Sequence, residues 1–153
     1  MQATITKQSA AAASFKVAYE LLVDTSVWSL AFRRDAEHSL PEVSALRNAL
    51  EQGENVVCTG LILQELLQGV VGTKSHTVLL EHFSALPMIS PTRGDHMDAA
   101  KLRDHCRRSG VALGTIEALL AQLCISHELI LLSTDADFHQ AARFCSLRLW
   151  KSP

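Results

Sequence analysis

The chain has 153 residues, 48% of them hydrophobic, with 14 basic and 16 acidic side chains and a formal net charge of -2. That length suits one domain, the apolar share excludes disorder along the whole chain, and the near-balanced charge excludes a polybasic nucleic-acid coat. No apolar run reaches the roughly 18 residues of a membrane-spanning helix, and no continuous apolar stretch near the start suggests a secretory signal.

Residues 1–18 are rich in Ala, Ser, Thr and Gln without any period, and read as a flexible tail before a single domain over 19–153. The run Leu21-Leu-Val23 is a short buried strand stopped by Asp24, and Thr25 and Ser26 suit the cap of a short helix through Phe32. Residues 33–39 are loop-like. Pro41 fits a first helical turn, and Val43, Leu46, Ala49 and Leu50 keep helical spacing as far as Gly53. Residues 55–58 suggest a strand, with Thr59 as the N-cap of a helix over 61–71. Further helices are predicted over 76–86, from Asp95 to about Gly110, and over 116–127, with an extended link at 87–89. Residues 129–132 read as a strand, followed by a short helix through Ala142 and a last strand over 146–150.

Short apolar strands alternating with helices point to a parallel sheet covered on both faces, which binds ligands beyond the carboxyl ends of its strands. The four cysteines, Cys58, Cys106, Cys124 and Cys145, are scattered and form no CxxC pair. That spacing argues against a zinc ribbon and a thioredoxin-like redox motif, and reduced thiols in a cytoplasmic protein are expected.

The sheet-edge rule picks out acids. Asp24 ends the first strand; Asp135 and Asp137 follow the 129–132 strand; Glu65 and Glu117 sit near helix starts among mostly apolar neighbours. Each has a plain structural reading. Asp24 can cap a helix, Glu65 can face water, Glu117 can favour a helix dipole, and Asp135 and Asp137 can serve a turn. Brought together, they would repel one another unless a divalent cation neutralised them, and an all-oxygen donor set suits Mg²⁺ or Mn²⁺.

Four segments carry a family resemblance. Leu-Leu-Val-Asp24-Thr-Ser-Val-Trp28, Leu63-Gln-Glu65-Leu-Leu-Gln-Gly69, Gly114-Thr-Ile-Glu117-Ala-Leu-Leu-Ala121 and Leu132-Ser-Thr-Asp135-Ala-Asp137-Phe138 resemble, in order and spacing, the four motifs of PIN-domain ribonucleases. The compact size is similar to the VapC-type toxins of toxin–antitoxin modules. The resemblance implies a PIN-like three-layer α/β/α sandwich around a central, mainly parallel sheet of four or five strands. It implies a Mg²⁺-dependent endoribonuclease (or one using Mn²⁺) with Asp24, Glu65, Glu117 and Asp135 as catalytic residues. Those four and Asp137 would be the metal ligands, and Ser26 and Thr134 would orient a carboxylate or a bound water. An RNA substrate, a cognate antitoxin and a homodimer are the implied partners, and no membrane. Val70, Val71, Val78, Leu79 and Leu80 supply an apolar face for the second copy.

Arg33, Arg34, Arg103, Arg107 and Arg108 are the candidates for RNA-backbone contacts. One position departs from the family pattern: the third motif usually carries Asp, and this chain has Glu117. The residues also support two rival readings. One is a PIN-like domain that binds RNA or protein, its chemistry lost through Glu117. The other is a phosphoacceptor α/β domain using Asp24, though Thr-Ser-Val comes after that residue and the late part of the chain offers a single lysine, Lys151.

Overall fold

The computed structural model describes residues 20–33 and 40–153. The tail expected over 1–18, most of the 33–39 loop and the candidate Arg34 lie outside the described residues. Among the described residues, five strands and seven helices occur in chain order: β1 (Leu21–Val23), α1 (Thr25–Phe32), α2 (Pro41–Glu51), β2 (Val56–Thr59), α3 (Gly60–Gly69), α4 (Thr73–Ser84), β3 (Met88–Ile89), α5 (Arg93–Arg108), α6 (Thr115–Ser126), β4 (Ile130–Leu132), α7 (Ala136–Ala141) and β5 (Arg148–Leu149). The strands form one sheet in the order β3-β2-β1-β4-β5, and every pairing is parallel. The fold is the α/β sandwich expected from the sequence, with helices flanking a five-stranded sheet.

The central strands β1, β2 and β4 are almost wholly buried and end where a polar residue must leave the core, whereas the edge strands β3 and β5 are partly exposed. Leu22 and Val23 of β1 and Leu131 and Leu132 of β4 are fully buried at the centre of the sheet. Trp28 extends this core over α1, where its ring lies 4.8 Å from Phe83 of α4. Burying such side chains contributes roughly 1.5–3 kcal/mol each, which outweighs the weak strand propensity of three-residue segments.

Strand register decides which side chains meet at the sheet edge. β1 and β4 pair with Val23 opposite Leu132, and the Asp24 amide donates to the Leu132 carbonyl at 2.9 Å. Asp24 and Ser133, each one residue beyond its strand, therefore stand side by side although 109 positions separate them.

Element boundaries match the sequence reading or differ from it by up to three residues. α1 starts at Thr25 because Asp24 is its N-cap; the capping role expected of Thr25 and Ser26 belongs to the acid before them. Thr59 caps α3 as expected, its hydroxyl accepting from the Ile62 amide at 3.3 Å. The expected apolar face divides: Leu79 is buried, whereas Val71, Val78 and Leu80 are exposed. Among the described residues, no helix is long and apolar enough to cross a membrane.

Candidate active site

A cavity of about 510 Å³ opens at the carboxyl edge of the sheet. Asp24, Glu65, Glu117 and Asp135 all line it, as do Thr25 and Ser26 of α1 and Gln68 of α3. Ile116 and Leu120 of α6 supply an apolar wall. Four acids scattered over more than a hundred positions meet because each sits just after a parallel strand or in the flanking helices α3 and α6.

Asp24 is the most buried of the four, 8% exposed. Three donors converge on its Oδ2: the Ser26 hydroxyl at 2.7 Å, the Ser133 hydroxyl at 2.9 Å and, more loosely, the Ser26 amide at 3.4 Å. Both hydroxyls are themselves held. The Thr134 amide donates to Ser26 Oγ at 3.2 Å and the Asp135 amide to Ser133 Oγ at 3.0 Å. Each serine thus accepts from the β4–α7 loop and donates to Asp24, which fixes the carboxyl plane and ties Asp135 to Asp24. Among the described residues, Oδ1 of Asp24 accepts no hydrogen bond and keeps its lone pairs.

Glu65 is half-buried on α3, and its Oε2 accepts from the Thr25 hydroxyl at 2.6 Å. Asp135 caps α7, its Oδ1 accepting from the Asp137 amide at 2.9 Å. Asp137 takes part through that amide; its side chain is exposed and is not one of the cavity walls. Glu117 folds back over the start of its own helix, and a methyl group built on Gly114 would fall on its Oε2. The glycine is what makes room for a side chain one methylene longer than aspartate.

The structure brings Asp24, Glu65, Glu117, Asp135 and Ser26 together. Thr134 enters by its backbone amide, and the hydroxyl role expected of it falls to Ser133. Ser133, Thr25 and Gln68 are site residues that the sequence pattern does not single out. The signal for Ser133 is its position: it comes after β4 as Asp24 comes after β1, and a parallel pairing in register aligns the two.

Of the basic candidates, Arg33 is exposed at the C-cap of α1. Arg107 and Arg108 are both paired with Asp104, at 2.6 Å each. Behind the site, burial and then the negative charge of Asp24 push the Cys124 thiol up, so it stays protonated. Burial likewise holds the Cys58 thiol at about 11.

The donor set fits a hard divalent cation, since every group is a carboxylate or hydroxyl oxygen. Among the described residues, no three His, Cys, Asp or Glu side chains are gathered tightly enough to grip an ion directly.

Known proteins resemble this chain over most of its length. A PIN-domain family model matches residues 21–144. The VapC ribonuclease Mb1587 of Mycobacterium bovis is 31% identical over 130 residues, covering 84% of this chain and 96% of that protein. Among solved structures, VapBC2 from Rickettsia felis bound to a promoter DNA fragment superposes with a TM-score of 0.66 at 17% identity, covering 85% of this chain and 96% of the other. VapC20 of Mycobacterium tuberculosis, described as a sarcin–ricin loop cleaving toxin, superposes with a TM-score of 0.62 at 15% identity, over 84% and 99% of the two chains. At such identities the two structural likenesses concern the fold.

Proposed function

The chain belongs to the PIN-domain family, and from that premise we propose that it is a divalent-metal-dependent endoribonuclease, the toxin member of a toxin–antitoxin pair. The observation that carries this reading is the meeting of Asp24, Glu65, Glu117 and Asp135 around one cavity. The ribonuclease names of its sequence relatives support the substrate class.

In this reading Asp24, Glu65 and Asp135 hold Mg²⁺ or Mn²⁺ directly or through water, and Glu117 approaches from α6. When bound, the cation supplies a water of lowered pKa and neutralises charge on the attacked phosphate. The chain's own residues do the rest. Ser26 and Ser133 keep Asp24 in one orientation and leave Oδ1 available. The Thr25 hydroxyl fixes Glu65 through Oε2, leaving Oε1 for a water or cation. Ile116 and Leu120 limit water on one side of the cavity, which strengthens electrostatic interactions inside it.

Glu117 is compatible with this chemistry because Gly114 gives its carboxylate space. The proposed setting is the cytoplasm, as a homodimer that uses the exposed Val71, Val78 and Leu80 and is neutralised by an antitoxin protein. The VapBC complexes among the structural neighbours support that kind of partner.

The test is incubation of the purified protein with total RNA in Mg²⁺, Mn²⁺ or EDTA, with mapping of the cut ends and an Asp24→Asn control. Metal-dependent cuts lost in the variant are expected. RNA left whole in every metal would overturn the enzymatic reading, and RNA retained without cleavage would leave a binding domain.

A further inference from the structure

Two clefts flank the first turns of α6. Ile116, Glu117 and Leu120 face the acidic cavity. Thr115, Ala118 and Leu119 face a second cleft of about 230 Å³, whose opposite wall is α5, with His96 and Arg103 as its basic side chains. Thr115 and Ile116 are consecutive residues, so the two clefts lie on different faces of one helix.

The basic residues of α5 are not equivalent. Lys101 is paired with Asp98 at 3.2 Å, and Arg107 and Arg108 with Asp104. Arg103 has no carboxylate partner among the described residues. Its Nε donates to the Leu113 carbonyl at 2.9 Å, just before Gly114, the N-cap of α6. That bond orients the guanidinium without neutralising it, and its terminal nitrogens keep their donors. An oriented cation without a carboxylate partner therefore lines the cleft on the far side of α6 from acids that would otherwise repel a polyanion.

We propose that the α5–α6 cleft is a phosphate subsite for the RNA strand, in which Arg103, with His96 beside it, holds a backbone phosphate flanking the one attacked in the acidic cavity. This rests on the ribonuclease reading. A guanidinium suits the role because its fork matches phosphate oxygens. The contact positions the strand and reads no sequence. The Ala99 and Ala118 side chains in the cleft wall let a strand approach closely.

The experiment measures binding of a labelled single-stranded RNA oligonucleotide to the Asp24→Asn protein in Mg²⁺, across a salt series. Adding Arg103→Gln should weaken binding roughly tenfold and make the plot of log affinity against log salt shallower by about 0.7, the share of one phosphate on a single strand. Arg103→Lys should restore part of the slope. Lys101→Gln, which breaks an exposed ion pair on the same helix, should change neither quantity. In the cleaving protein, Arg103→Gln should raise KM with kcat retained. RNA bound with unchanged affinity and slope after Arg103→Gln would overturn the subsite alone. No binding by the Asp24→Asn protein itself would overturn the RNA reading with it.

Discussion

The starts of α1 and α5 are built from the same capping chemistry and do different things with it. At α5 the Thr92 hydroxyl accepts from the Asp95 amide at 3.2 Å, and Asp95 Oδ2 accepts from the Thr92 amide and hydroxyl at 2.8 Å each. The box closes within four residues, and those bonds, led by the one from the Thr92 amide, hold the Asp95 carboxyl below the usual carboxylate range. At α1 the cap is Asp24, and its strongest donors are side-chain hydroxyls, one of them 109 positions away in the chain. A carboxylate satisfied chiefly by its own turn stabilises a helix. A carboxylate oriented from across the sheet, with an oxygen left over among other acids, can do chemistry.

The largest expected effect separates the two regions outright. Asp24→Asn should lower single-turnover RNA cleavage at least about a hundredfold through the lost ligand charge. Its melting temperature should hold, because Asn caps a helix as well as Asp does. A large drop in melting temperature would place Asp24 with Asp95 as a structural cap. Next in size is Ser133→Ala, which removes a donor to Asp24 and an acceptor for the Asp135 amide; cleavage should fall by roughly tenfold or more.

Gly114→Ala sharpens the contrast further. The backbone there, at φ -68 and ψ 171, accepts any residue, so stability should hold. The new methyl displaces the Glu117 carboxylate, and cleavage should change severalfold. Combined with Glu117→Asp, whose shorter side chain clears the methyl, Gly114→Ala should have a much smaller effect than in the wild type, a strongly non-additive double-mutant cycle. Fully additive effects would mean that the glycine does not set the position of Glu117.

The smallest effects belong to α5. Thr92→Ala should cost about 1 kcal/mol of stability, a fall in melting temperature of about 2–4 °C for a chain of this size, with cleavage unchanged. Because the Asp95 pKa is lowered in the folded state, its contribution is complete above the ordinary carboxylate value and fades as pH falls through the folded one. The stability gap between the wild type and Asp95→Asn should therefore shrink on acidification below about pH 4. A gap that widened in acid would contradict the capping-box account.

Much of the fold is legible along the chain. Apolar runs ending in Asp24 and Leu132, a proline at the start of α2, Thr59 before α3 and glycines at 53 and 110 mark the elements, because strand burial, capping and helix termination depend on near neighbours. The acids of the site are legible as candidates for the same reason: they stand where elements begin or end. What each acid faces is not. The Thr25–Glu65 bond, the Ser133 hydroxyl on Asp24, the outward Asp137 and the space over Gly114 that admits Glu117 come from strand register and helix packing. The separation of Arg103, held by the Leu113 carbonyl, from Arg107 and Arg108, tied to Asp104 one turn away, is by contrast a matter of near neighbours. A sequence specifies local conformation through contacts a few residues long. Which carboxylate oxygen stays free is fixed by contacts that span more than a hundred positions, which exist only once the sheet has closed.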